Sequence, residues 1–239
     1  MNRQLTAYGL FVSLIFAILQ TGAAQQLRPL SKGTPTTVEN YVQEMFFITK
    51  MSGSLTLSGA CKETGVEKDV VSDPLPVPPQ GPFSDLGEAI TAVSQFSPHL
   101  TWIREASGLL RVRDDRASND VLRIHLQKIH FKNDVNANDA IREVLSAPEV
   151  RAYFEANHIE NGSMPIGMMP ASMKGFPRLS GELRDLTVAE ALDYIMHFFH
   201  GLWIYSECEH DSHRRAMVRG VSVGFSRTAV FETQKTISK

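Results

Sequence analysis

Apolar residues recur at three- and four-residue steps in four stretches of the chain, and each stretch predicts an amphipathic helix. In the first, Thr36 and Glu39 form a capping-box pattern ahead of Val38, Tyr41, Val42, Met45 and Phe46, and the helix should end near Lys50. Leu86, Ala89, Ile90, Val93 and Phe96 mark the second, which begins around Ser84-Asp85 and stops at Pro98. Asn136 caps the third, with Ala137, Ala140, Ile141, Val144 and Leu145 on one face and Pro148 just beyond. The fourth has the strongest stripe: Thr187 and Glu190 make a capping box, Val188, Ala191, Leu192, Ile195, Met196 and Phe199 follow, and Gly201 is the expected C-terminal cap. Between the helices the period changes to two. Leu100 to Arg104 and Leu109 to Arg113 read as strands around a Ser107-Gly108 turn. Leu122, Ile124 and Leu126 alternate with polar residues, Trp203-Ile204-Tyr205 is strand-like, and Val221, Val223 and Phe225 form another alternating run. Residues 72–82, with five prolines, predict an extended connector.

A short pattern repeats. Asp85-Leu86-x-Glu88-Ala89-Ile90 opens one helix, Asp139-Ala140-Ile141 lies in another, and Asp185-Leu186 with Glu190-Ala191-Leu192 opens a third. The first and third are each followed by Trp-Ile, at Trp102-Ile103 and Trp203-Ile204. Amphipathic helices also share such short words by coincidence. The fold class expected is α+β: two small units of short strands packed with amphipathic helices in β-α-β-β order. The first unit spans 36–115 and the second 116–225, with the polar stretch 114–120 as their boundary. Residues 25–35 form a leader and 226–239 a tail.

Leu183-Arg184-Asp185-Leu186-Thr187-Val188-Ala189-Glu190-Ala191-Leu192, with Trp203–Tyr205 and Met217–Phe225 as a strand pair, resembles the secretin and TonB short N-terminal domain. Residues 84–113 resemble a second, partial copy. The chain departs from better-known members of that family in that neither a pore domain nor a barrel follows. The resemblance implies a small α+β module in an exported bacterial protein that contacts other envelope proteins. Fold analogy of this kind does not by itself fix function.

The start of the chain gives an address. Arg3 precedes a charge-free run from Gly9 to Leu19, and small residues lead to a cut after Ala24, the layout of a secretory signal peptide over 1–24. The apolar run is too short for an ordinary span, although an uncleaved anchor is the alternative. After cleavage no span is expected, and the protein should be periplasmic or extracellular. Export changes the reading of the two cysteines. Cys61 and Cys208 either pair as a disulfide in an oxidising compartment or stay as two buried thiols. The 239 residues carry 24 Lys+Arg and 26 Asp+Glu, a net charge of −2, which gives no electrostatic case for nucleic acid.

Candidate chemistry is sparse. Gly220-Val221-Ser222-Val223-Gly224 matches the G-x-S-x-G pattern, but it lies inside an alternating strand and no His follows it. His197, His200, Cys208, His210 and His213 are metal-ligand types gathered in one stretch, yet the stretch lacks HExxH or paired CxxC spacing. Residues 206–215 read as a solvated connector. Met164, Met168, Met169 and Met173 crowd the loop 161–178 and could serve Cu(I) or repack against a partner. The expectation is therefore a non-enzymatic exported interaction module with no cofactor and with other envelope proteins as partners. The alternative is a metal-binding envelope protein using the histidine cluster or the methionine loop.

Overall fold

The computed structural model describes residues 27–29, 33–64, 67–161, 177–211 and 217–228. Residues 1–24, expected to be a signal peptide, residues 162–176 with the four methionines, and the residues beyond Thr228 lie outside them. The chain is an α+β protein. Its strands are β1 (Thr36–Thr37), β2 (Gly53–Thr64), β3 (Glu67–Val71), β4 (Pro74–Leu75), β5 (Leu100–Arg104), β6 (Leu110–Asp114), β7 (His125–Val135), β8 (Ile159–Asn161), β9 (Leu179–Thr187), β10 (Gly201–Asp211) and β11 (Met217–Arg227). Its helices are α1 (Val38–Thr49), α2 (Leu86–Ser94), α3 (Ala137–Leu145), α4 (Pro148–Ala156) and α5 (Val188–Phe199). Among the described residues no helix is long and apolar enough to cross a membrane.

One seven-stranded sheet runs through both halves in the order β5-β6-β2-β10-β11-β8, with β3 paired to the far end of β2. The boundary expected at 114–120 is therefore a loop, and the sheet is continuous across it. The joint is the parallel pair β2–β10, with Leu202 opposite Gly53 and Glu209 opposite Ala60. Period-two alternation along these strands feeds two cores on opposite faces. Leu55, Leu57, Leu110, Val112, Leu202 and Ile204 face α1 and α2. Trp203, Tyr205, Val221 and Val223 face the other way, into a core with α3, α4, α5 and the separate β7–β9 ribbon.

The repeat takes a different form from the one the sequence predicts. Three helices each lead into an antiparallel hairpin: α1 into β2–β3, α2 into β5–β6, and α5 into β10–β11. The Asp139 copy does not belong, because α3 leads into α4. Pro148 does not simply end a helix; it occupies the first turn of α4, where its missing N–H costs nothing. The unrecognised copy is α1. Like α5 it has twelve residues, a threonine N-cap, and a non-glycine C-cap in the left-handed region, at Lys50 and His200.

Several boundaries shift for local reasons. The α1 cap is Thr37, not Thr36: the Thr37 hydroxyl accepts from the Asn40 N–H at 3.2 Å. His200, not Gly201, caps α5; Gly201 opens β10, where a Cβ would collide with the Phe225 ring and the Ser226 carbonyl. Leu122 lies in a 3-10 turn (Val121–Arg123), since Val121 and Leu122 are both buried and neighbours on a strand could not face one core. Phe96 lies past α2 and is exposed. The pattern also left β2 and β3 unread.

Gly53 occupies the position in β2 that Gly201 holds in β10, and a Cβ there would strike the Leu110 carbonyl oxygen and the Phe46 ring. Gly53→Ala is expected to cost about 2 kcal/mol or more, since both obstacles belong to a packed sheet and core. Urea denaturation checks this, and a loss below about 0.5 kcal/mol would show that the strands part easily.

Candidate functional site

Strands β2 and β6 pair in parallel, with Ser54 opposite Arg111 and Thr56 opposite Arg113. Their apolar partners Leu55, Leu57, Leu110 and Val112 fill the first core, so these four polar residues line the opposite face of the sheet. The second core covers that face over β10 and β11. Over β2 and β6 it leaves a cleft of about 230 Å³. Asn119, Leu122 and Arg123 close one side, and Thr187, Ala189 and the Trp203 indole close the rest. The cleft thus lies where the two halves meet.

Arg111 braces this junction. Its guanidinium grips Asp193 of α5 with two bonds, 3.1 and 2.7 Å, and also pairs with Glu105. The Trp203 indole N–H donates to the same Asp193 at 2.8 Å. Burial works against the Arg111 charge, but the bonds from Asp193 and Glu105 outweigh it and hold its pKa above the ordinary value. Arg111 lowers the Glu105 carboxyl chiefly through its hydrogen bond. The charge of Arg111 is therefore spent inside the protein.

Arg113 differs. It is exposed, and among the described residues no carboxylate pairs with it within 4.0 Å, although its charge reaches Glu105 and helps to lower that carboxyl. Arg123 is also open, with its side chain 76% exposed and only Asp120 at 4.0 Å. Two buried polar atoms of the lining have no hydrogen-bond partner among the described residues, the Thr56 hydroxyl and the Asn119 Oδ1. Thr56 is 3% exposed. A buried hydroxyl without a protein partner costs about 1–3 kcal/mol, which favours a bound group that supplies one. Asn119 is held in place by a left-handed backbone, φ 58°, and by its amide donating to the Ala117 carbonyl at 2.8 Å.

A second polar cluster fixes the loop that carries Asn119. Glu207 is buried on β10 and accepts from the Tyr205 hydroxyl at 2.8 Å, from the Ser118 N–H, and from Arg219 on β11. Burial, with the Glu207 charge beside it, pushes the Tyr205 hydroxyl well above its usual range. This cluster is why 206–211 is strand and not the solvated connector expected: Glu207 enters the interior because three donors meet it.

Asp114 clamps the other end of the loop. It accepts from the Arg116 N–H at 3.0 Å, from the Arg116 guanidinium at 2.9 and 2.7 Å, and from the Ser58 N–H at 3.2 Å. Burial alone would raise its carboxyl, but these bonds hold it below the usual value. With a depressed folded pKa, its stabilisation is complete above the unfolded-chain value of about 3.9 and is lost as pH falls through the folded one. Asp114→Asn should therefore cost about 2–3 kcal/mol near pH 7, and the gap from wild type should narrow toward about pH 3. Urea midpoints at the two pH values check this; a gap of constant size would contradict it.

The predicted site residues separate. Cys61 and Cys208 form a disulfide across β2 and β10, Cα–Cα 5.2 Å. Cys208 therefore offers no thiolate, which removes it from the proposed ligand set. His197 and His200 are both exposed, and the His197 Nδ1 lies 2.9 Å from the Asp193 carbonyl. The side chains of His210 and His213 lie outside the described residues. Among the described residues no three His, Cys, Asp or Glu side chains group as a metal site. Ser222 sits in mid-strand on β11 opposite Ser206, without the strand-turn-helix elbow that the motif needs. Gly220 of that motif has a packing role, since a Cβ there would lie 3.0 Å from the Cys208 Sγ.

Sequence reasoning missed Thr56, Arg111, Arg113 and Asn119. The alternation Ser54-Leu55-Thr56-Leu57 and Leu110-Arg111-Val112-Arg113 carried the signal for two half-polar strands. No family model, curated protein or solved structure matches the chain.

Proposed function

We propose that this chain is an exported, non-catalytic binding module that engages another envelope protein through the cleft between its halves. The carrying observation is the cleft itself: an open guanidinium at Arg113 beside a buried Thr56 hydroxyl with no partner among the described residues. Its charged lining residues are arginines. Arginine keeps its proton at any physiological pH, so these groups hold and orient anions and do not shuttle protons. The Cys61–Cys208 bond supports export, because disulfides persist in oxidising compartments. The order β9-α5-β10-β11 supports the kinship with short N-terminal domains. No cofactor is needed for this role.

Capture from an envelope extract tests the reading, with the wild-type chain run beside Arg113→Glu/Arg123→Glu. A specific protein held by the wild type and lost by the variant is expected. Identical captured sets would count against the cleft as the docking surface.

A further inference from the structure

We propose that the cleft is a binding site for a single oxyanion group, a carboxylate or a phosphate, that carries a hydroxyl or N–H donor beside it. This rests on the reading of the chain as a binding module and names the chemistry that its cleft takes. Two observations point the same way. Arg113 presents a guanidinium without an ion-pair partner among the described residues, and a guanidinium forks onto carboxylate or phosphate with two parallel bonds. Thr56, its register partner on β2, holds a buried hydroxyl with no partner among the described residues. The first turn of the twelve-residue helix α5 walls the same cleft through Thr187 and Ala189, but its N-terminus is already capped by the Glu190 carboxylate, which accepts from the Thr187 N–H at 2.7 Å, so it supplies shape and not charge.

Asn119 adds selectivity. Its Oδ1 is buried, unbonded and can only accept, so a bare anion beside it is repelled, while an anion with an adjacent donor satisfies it. The neighbouring Arg111 does not compete, since Asp193 and Glu105 already neutralise it. At about 230 Å³ the cleft falls below the roughly 300–1,000 Å³ of pockets for drug-sized ligands, so it suits a headgroup or one acidic residue.

Thermal unfolding of the full chain at constant ionic strength tests this, with chloride as reference and with phosphate, acetate, glycolate or a short acidic peptide added. A saturable rise in Tm is expected with phosphate, glycolate or the peptide, and glycolate should exceed acetate because its hydroxyl meets Asn119; acetate equal to or above glycolate would contradict the need for a donor. Arg113→Gln should weaken the apparent affinity about tenfold or more. Thr56→Val should lose the response too, yet melt at or above wild type in chloride, because it deletes an unsatisfied hydroxyl. A response to phosphate or glycolate assigns a free small anion, and a response to the peptide alone assigns a partner's carboxylate. No saturable rise with any probe, or a rise that survives in both variants, overturns the proposal. Cleft-dependent capture of a protein would stand even then, so failure here is separate from failure of the binding-module reading.

Discussion

Replacing Cys61 and Cys208 together by alanine should lower the unfolding free energy by about 5 kcal/mol, most of the stability of an ordinary domain. The bond closes a loop of 147 residues in sequence, and on the chain-entropy model a loop of that length restricts the unfolded chain strongly. The same bond has a native-state role. It crosses the β2–β10 pair, which hydrogen-bonds a strand of the first half to a strand of the second. Cys208 is buried and lies near Gly220, so alanine also leaves a void. Urea denaturation of oxidised wild type and of the double variant measures the difference. A loss under about 1 kcal/mol would mean that this pair holds without its crosslink.

Trp203→Ala is expected to cost about 4 kcal/mol and to abolish binding at the cleft. Trp203 is one of the largest fully buried side chains, and its ring belongs to the second core while its edge walls the cleft. Truncation removes that packing and leaves Asp193 without the indole N–H, though Arg111 still grips the carboxylate. Trp203→Phe keeps most of the ring and should lose about half as much, so the pair of variants separates volume from hydrogen bond. Equal losses for the two would place the energy in the Asp193 bond and not in packing.

The helices were legible because their information is local. Caps at Asp85, Asn136 and Thr187 and the stripes behind them lie within one or two turns of sequence, and the structure starts α2, α3 and α5 within two residues of the predicted starts. Where a local sign was ambiguous, tertiary structure decided it. Pro148 fits both the end of a helix and the start of one, and the core around Val150 and Phe154 selects the second. Gly201 fits a C-cap, but the approach of Phe225 fixes its use as a strand opener. Leu122 and Ile124 fit a strand by alternation, yet burial of Val121 and Leu122 together requires a turn.

The cleft was not legible, because its parts are far apart in the chain. Thr56, Arg113, Asn119 and Thr187 come from four segments; the β2–β6 pairing sets the first two side by side, the Glu207 cluster places the Asn119 loop, and the Arg111–Asp193 bridge holds α5 with Thr187 over them. Each half of the pattern was visible as a polar position on a strand or loop, and nothing in the sequence says which polar positions face each other. Glu207 shows the same limit: read alone it is a solvated acid, and beside Arg219 and Tyr205 it is a buried strut.

The cleft exists only while both halves fold as one body around their shared sheet, and the two tryptophans report on the two cores separately. Trp102 packs against the first core and Trp203 lies in the second. Urea unfolding of Trp102→Phe and of Trp203→Phe, each followed by indole fluorescence and by far-ultraviolet circular dichroism, reads the two cores in turn. Coincident midpoints from the two probes within each variant are expected. A tryptophan signal lost well before or after the dichroism would show two independently folding halves and would contradict a site built on their junction.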